Sequence, residues 1–505
     1  MMYFELKAIL SFSGDLREGK ETLQQNIEDA NKDLLKRGVP KNVSGGALIE
    51  DYTIEGSDLC IKITSDRYVR AHDALIRIKK SLSEAMGRKH RVGVRDIKII
   101  DYMIRFEIDR PPVEKLKLPF VDELELDGKT CIISVKNLTQ DQLANNYVDR
   151  IIQRIKEKID AQYYEGKEEL WELIWESGDK KPVWTRDPTE EMEKRGWIKQ
   201  GPTKGKWFYR PQAAKILRCM EEIAVKEVLE PLGFQEVIES TMVPFDVWQE
   251  TGHMEGVPNE VYYICEPKSR DPEEWEEFVD LVNISKEVPV DKLKELVTAP
   301  RAGICYAQCP LMYWSLRNTT IADDSLPVLL YERTVPSARY ESGGRHGIER
   351  VDEFHRIEPI YIGTKEQLLT LKEDLIERYT HVFQNILDLE WRMAKVAPFY
   401  MQQSGHGDED GEEDLGTIDF EAYMPYRGDR NDSKWLEFQN LSIFKKYTKA
   451  FNIKAQSKDL YSGCSGIGLE RWSAAFLAQK GLDPNNWPSK FNKICGNLPK
   501  GLNLL

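Results

Sequence analysis

Ala338-Arg339-Tyr340-Glu341-Ser342-Gly343-Gly344-Arg345-His346-Gly347-Ile348-Glu349-Arg350-Val351-Asp352-Glu353-Phe354-His355-Arg356-Ile357-Glu358 is the stretch on which the reading of this chain turns. Arg339 and Glu341 stand two residues apart, so on a strand they face the same side. A guanidinium there can bridge a phosphate and a substrate carboxylate, and the glutamate supplies an acceptor beside it. Gly343, Gly344 and Gly347 free the intervening segment to close over a ligand. Taken alone, a charged surface hairpin would have the same composition.

Two further segments, in order along the chain, lend it specificity. Cys464-Ser465-Gly466-Ile467-Gly468-Leu469-Glu470-Arg471-Trp472 leads into an apolar helix through Ala474, Ala475 and Leu477. Its glycines permit a tight strand-to-helix turn, and Arg471 then projects from the first helical turn, where the dipole and the guanidinium together favour phosphate. Upstream, Pro211 suits a first helical turn, and Ile216, Leu217, Met220, Ala224 and Val228 recur on one helix face. Gly233-Phe234-Gln235-Glu236-Val237-Ile238-Glu239-Ser240-Thr241-Met242-Val243-Pro244 follows that helix.

In chain order these three segments resemble motifs 1, 2 and 3 of the class II aminoacyl-tRNA synthetases. The resemblance implies an α+β fold with an antiparallel sheet flanked by helices. It implies a motif 1 helix-strand unit building a homodimer interface, and a motif 2 of two antiparallel strands joined by a mobile loop. It also distributes roles. Arg339, Glu341 and Arg471 become the catalytic set. Tyr340, Arg350, Val351, Phe354 and Glu437 join them around ATP, with Arg339 on the α-phosphate, Arg350 reaching the γ-phosphate or adenine, and Phe354 stacking on adenine. Asp419 to Pro425 and Trp435 to Asn440 look like paired strands carrying the magnesium carboxylate, assigned to Glu437, and contacts to the amino acid. Ala307, Arg339, Arg356, Glu358, Gln439 and Asn440 are the expected amino-acid contacts. The expected reaction is acyl-adenylate formation with pyrophosphate release, then transfer to the tRNA 3′ end. Positioning and charge neutralisation suffice for it without a covalent enzyme nucleophile.

Over nearly its whole length the sequence resembles the methanogen-type seryl-tRNA synthetases, which carry zinc in the active site. Residues 1 to 165 hold no sustained heptads, so the coiled coil of bacterial-type seryl enzymes is not expected. The catalytic half also resembles threonyl-tRNA synthetases: Ala307-Gln308-Cys309-Pro310 stands where that family has Met-Asn-Cys-Pro. That family holds its metal with one cysteine and two histidines. Here Glu358 stands near the first histidine's place and Cys464 is the fitting substitute for the second, a Cys, Glu, Cys set as in the methanogen-type enzymes. Two thiolates and a carboxylate are sound tetrahedral zinc ligands, and three of them leave a fourth position for substrate. One zinc per subunit in the active site, facing the serine α-amine, and magnesium with ATP are thus the expected cofactors, with serine, ATP and tRNA(Ser) as partners. A threonyl specificity, or a synthetase-like ligase or binder that charges no tRNA, are the rival readings.

Composition sets the outer limits. The chain has 505 residues, 41% of them hydrophobic, and a net charge of −14, enough for two or more domains and unlike a protein that coats nucleic acid nonspecifically. The N-terminal residues do not read as a secretory signal and no run is apolar enough to span a bilayer, so a cytoplasmic location without membrane contact is expected. The eight cysteines read as lone thiols rather than disulfides, and Cys305 as packing. Residues 1 to 165 read as an α+β domain with strands at Ala47 to Tyr52, Leu59 to Thr64 and Ile97 to Ile108, and the resemblance to the methanogen-type enzymes implies that it is their tRNA-binding domain. Arg67 to Lys98 carries ten basic residues against three acids, either a solvated helix face or a surface for RNA phosphates. Residues 166 to 206 read as a linker and 207 to 505 as the catalytic domain, with a helical insertion near 268 to 300 that is either a surface hairpin or a lid. Gln367 to about Ala397 reads as one long amphipathic helix, Asp408 to Asp414 as an acidic loop, and His346 and His355 as the histidines nearest the site.

Overall fold

The computed structural model describes residues 2–136, 138–163, 171–341, 344–396, 415–431 and 435–502. The acidic run 408–414 and Gly343 lie outside them. The chain divides into two compact units, Met1–Lys167 and Glu168–Leu505.

In the first unit, six strands form an antiparallel sheet in the order Ala47–Glu55, Asp58–Asp66, Met2–Phe12, Val94–Glu107, Thr130–Val135, Val121–Asp127. Met2–Phe12 alternates so that Phe4, Leu6, Ala8, Leu10 and Phe12 are all buried, the period-two pattern of a sheet with one covered face. The helix Ala71–His90 lays Ala74, Leu75, Ile78, Leu82 and Met86 into the same core. Its polar side is partly engaged in cis: Arg70 pairs with Asp149 at 2.7 Å and Arg77 donates to the Arg37 carbonyl at 2.7 Å.

The second unit is built on a nine-stranded sheet in the order Gln235–Glu236, Val328–Glu332, Arg356–Gly363, Tyr461–Cys464, Leu436–Phe444, Gly416–Ala422, Trp391–Val396, Trp171–Glu176, with Ile467–Gly468 pairing both Arg356–Gly363 and Leu436–Phe444. Every pairing is antiparallel except Gln235–Glu236 on Val328–Glu332. Helices Pro211–Ile223, Lys365–His381 and Leu469–Lys480 join its core. Leu469–Lys480 is buried on nearly every face, which suits its run of Ala, Phe and Leu.

Three expectations are corrected. The linker expected at residues 166 to 206 is folded over its described part, 171–206: Trp171–Glu176 completes the sheet edge, and Trp175, Trp184 and Trp197 pack on its core, so the glycines and prolines between them mark turns rather than a tether. The long helix stops early. Lys365–His381 runs into a widened turn at Val382–Ile386, and Trp391–Val396 is a strand; Trp391 and Met393 belong to a period of two that an apolar run cannot distinguish from 3.6. Finally, Cys219 and Cys495 form a disulfide with Cα atoms 5.2 Å apart. Packing of the C-terminal helix Ser489–Cys495 against Pro211–Ile223 brings these thiols together across 276 residues, a proximity that spacing could not announce. The insertion is a helical hairpin, Pro272–Ser285 and Val290–Leu296, the first capped by Asp271 on the Glu273 amide at 3.0 Å.

Candidate active site

The sheet places the chemistry by register. In Arg356–Gly363, Arg356 and Glu358 stand two apart on one face while Ile357 enters the core. The neighbouring strand pairs Ile360 with Cys464 and returns through the Ser465 amide to the Pro359 carbonyl, which sets Cys464 beside Glu358. Cys309 opens the helix Cys309–Trp314, with Pro310 in its first turn. One ligand atom from each of Cys309, Glu358 and Cys464 lies within 4.8 Å of the others.

This trio fits a divalent cation on its own chemistry. Glu358 is fully buried, and neither carboxylate oxygen makes a hydrogen bond of acceptable geometry; its nearest charge is Arg356 Nε at 2.5 Å. Burial pushes the Glu358 carboxyl up, against the pull of Arg356, and the Cys464 thiol is pushed up by its hydrogen bond with Cys309 and by burial. Without a cation the cluster holds protons, whereas a metal reverses that preference and takes thiolate and carboxylate as ligands.

The trio lies in a pocket of about 270 Å³ whose wall also includes Ala307, Arg339, Phe354, Arg356, Glu437 and Arg471. Arg339 is threaded between rings, its guanidinium carbon 5.3 Å from the Tyr306 centroid and 5.5 Å from that of Phe354, and its backbone donates to the Asp352 carbonyl at 2.8 Å. Glu341 lies 3.9 Å from it. The two short strands Ser337–Ala338 and Glu353–Phe354 pair antiparallel and hold this segment. Arg471 donates to the Glu437 carbonyl and carboxylate, both at 3.0 Å. Val351 lines a small cleft shared with Arg339 and Arg471, and Arg350 faces a separate, larger one that also holds Arg345 and Glu437. Tyr340 is 47% exposed, with Arg345 over its ring at 4.6 Å. Gly466 permits a close approach: a Cβ there would collide with the Arg356 guanidinium.

Gln439 departs from expectation. Its amide donates to Ser465 Oγ at 2.6 Å and its carbonyl oxygen accepts from Trp472 Nε1 at 3.2 Å, so the side chain is spent inside the core while Asn440 lines the pocket. Strand alternation would have put Glu437 and Gln439 on one face. Pairing of Phe420 with Gln439 but Glu421 with Glu437 leaves Phe438 unmatched, a bulge that sends the two side chains different ways.

The sequence reading also missed His253, the histidine that actually lines the pocket. His346 is bound to Glu349 at 2.9 Å, and His355 to Glu470 at 2.8 Å. His253 accompanies Thr251, Tyr306, Lys446 and Tyr447 in the wall, and Cys309 Sγ lies 3.7 Å from the Tyr447 hydroxyl. A lone Thr251-Gly252-His253 after an amphipathic turn was its only signal. Burial pushes the His253 imidazole down to about 3. Between that value and the unfolded value near 6.5 the unfolded chain binds the proton and the folded one does not, so stability falls as pH drops below about 6.5. Between pH 7 and 5 we expect this group to cost about 2 kcal/mol. Urea midpoints at the two pH values, compared with those of His253→Gln, should show the variant losing that part of the dependence.

Comparison with known proteins adds a third line. A family profile described as a tRNA-binding domain matches residues 2–157. The chain is 46% identical to the type-2 serine-tRNA ligase of Methanothrix thermoacetophila, covering 100% of both sequences, and 44% identical to that of Methanococcoides burtonii, covering 99% of both. Among solved structures it is similar to M. kandleri SerRS, crystallised in complex with A. aeolicus tRNASec, with a TM-score of 0.89, 30% identity and coverage of 100% of this chain and 99% of that one.

Proposed function

The chain belongs to the type-2 serine-tRNA ligases, and from that premise we propose how its own residues divide the work of activating serine and charging tRNA(Ser). One observation carries the proposal: Cys309, Glu358 and Cys464 converge in the same small pocket as Arg339, Arg356 and Arg471. Cys309, Glu358 and Cys464 would hold one zinc ion per subunit, which when bound supplies a Lewis-acidic site for the serine α-amine. Arg356 lies against Glu358, so the −1 sum of Zn²⁺, two thiolates and a carboxylate is offset by a fixed guanidinium.

The serine carboxylate attacks the α-phosphorus of ATP; the bond to the β-phosphate oxygen breaks and pyrophosphate leaves. Arg339 neutralises charge on the α-phosphoryl oxygens and Glu341 holds Arg339 in place. Arg350 and Arg471 take the remaining phosphates, Phe354 stacks on the adenine beside Tyr340 and Val351, and Glu437 would hold the magnesium that accompanies ATP. A hydroxyl of the tRNA 3′-terminal ribose then attacks the seryl carbonyl, and AMP departs with the bonding electrons. Serine and threonine share an α-amine, so the metal cannot tell them apart. Rejecting the extra methyl falls to the pocket wall, where one methylene is worth about 1–3 kcal/mol, with Ala307 and Asn440 the wall residues assigned to serine. Ile238, 78% exposed on the first motif, supports burial of that segment in a homodimer. The described residues include no helix long and apolar enough to cross a membrane, and charging tRNA for translation places the work in the cytoplasm.

The decisive test is ATP-pyrophosphate exchange with a panel of amino acids, before and after metal removal by a chelator. Exchange should respond to serine and collapse on chelation, returning with zinc. Serine exchange indifferent to complete loss of zinc would remove the metal from the mechanism.

A further inference from the structure

Pocket and surface meet across one short helix, Lys446–Ala450, that follows the Leu436–Phe444 strand. Its inner side presents Lys446 and Tyr447 to the active-site pocket. A separate open basin of about 460 Å³ is lined by Lys445, which precedes the helix, by Thr448 and Lys449 within it, and by Asn452 from the turn that follows. Lys454 and Lys458 complete the rim of that basin, and Asp459 is the sole carboxylate on it. From 445 to 460 the sequence holds five lysines against this one acid, within a chain of net charge −14. Asp459 is itself occupied, at 3.2 Å from Lys445, whose ammonium also lies 4.3 Å from the Tyr461 ring centroid. Lys449, Lys454 and Lys458 form no ion pair among the described residues and are exposed. Lys458 also faces the carboxylates of Asp323 and Glu366 at longer range, and Asp323 is itself engaged by the Ser457 amide at 3.2 Å and by its hydroxyl.

A row of exposed ammonium groups without a close ion pair, on the segment that follows directly on the pocket residues Lys446 and Tyr447, has an obvious complement in a polyanion whose end that pocket must receive. We propose that the Lys449, Lys454 and Lys458 face binds backbone phosphates of the tRNA 3′-terminal strand as its last nucleotide enters the pocket. The proposal rests on the serine-charging reading and adds to it a place on the catalytic unit that no base or metal chemistry requires. The contact is to phosphate, so it strengthens binding through counterion release and reads no sequence. Lys446, on the inner side, belongs to the pocket and is not part of this surface.

The test uses the full-length enzyme and a serine-accepting tRNA transcript. In K449Q/K454Q/K458Q the KM for tRNA should rise at least tenfold at low salt. The slope of log KM against log salt should shrink by about 2, since each lost phosphate contact removes about 0.7 on a single strand. Serine-dependent ATP-pyrophosphate exchange should stay at the parental rate, which also reports that the variant is folded and that serine activation itself stands. A parental tRNA salt slope with intact exchange overturns the proposal. Should the triple variant lose exchange, K454Q alone decides: a slope reduced by about 0.7 supports the surface, and an unchanged slope overturns it.

Discussion

Cys464→Ala is expected to abolish zinc binding and to lower serine-dependent ATP-pyrophosphate exchange by about three orders of magnitude while leaving the fold in place. The structural reasoning is local. Cys464 ends the strand Tyr461–Cys464, which keeps its pairing with Arg356–Gly363 through backbone groups that the substitution does not touch. What would be lost is one of the three proposed ligands, and with it the bound cation whose charge would let the fully buried Glu358 ionise. A metal's electrostatic assistance is worth several kcal/mol, and each 1.36 kcal/mol is a factor of ten in rate. Zinc content by atomic absorption, exchange activity and a thermal melt on the same sample form the check. A variant with parental activity and stoichiometric zinc would take Cys464 out of the ligand set.

Arg339→Ala should be nearly as severe by a different route: kcat/KM for exchange falling several hundredfold with zinc content unchanged. The guanidinium faces the same pocket as Cys309, Glu358 and Cys464, held between Tyr306 and Phe354 and beside Glu341. A preorganised cation aimed at charge developing in the transition state is worth about 3–4 kcal/mol. Arg339→Lys keeps the charge but loses the flat fork that stacks and bridges two oxygens, so it should recover only part of the rate. The two variants separate cleanly, since Cys464→Ala loses metal and Arg339→Ala keeps it. Full activity in Arg339→Ala would end its assignment to the α-phosphate.

The parts of the site that sequence disclosed are those set by local chemistry. Arg339 and Glu341, or Gly466, Gly468 and Arg471, carry their meaning within a few residues, and Cys309, Glu358 and Cys464 could be grouped because family resemblance supplied their neighbourhood. Where register decides, sequence was mute. Gln439 and Glu437 look equivalent on an ideal strand, and only the unmatched Phe438 separates them. His253 reaches the pocket through a turn before the insertion, more than fifty residues from the nearest metal ligand, and nothing in its surroundings marks it. The same holds for the fold. The helix Pro211–Ile223 was legible from its apolar face, whereas Trp391–Val396 was hidden at the end of a run that could continue a helix. The partner strand that makes it a strand, Trp171–Glu176, lies over two hundred residues upstream.

That distant partner also fixes where the catalytic unit can be cut from the rest of the chain. Trp391–Val396 would be the rim of the catalytic sheet if the catalytic half began at Trp207, with a row of unsatisfied amides and carbonyls open to other chains. Trp171–Glu176 closes that rim. A fragment that starts at Glu168, where the second compact unit begins, therefore keeps this rim paired, whereas one that starts at Trp207 leaves it open to other chains.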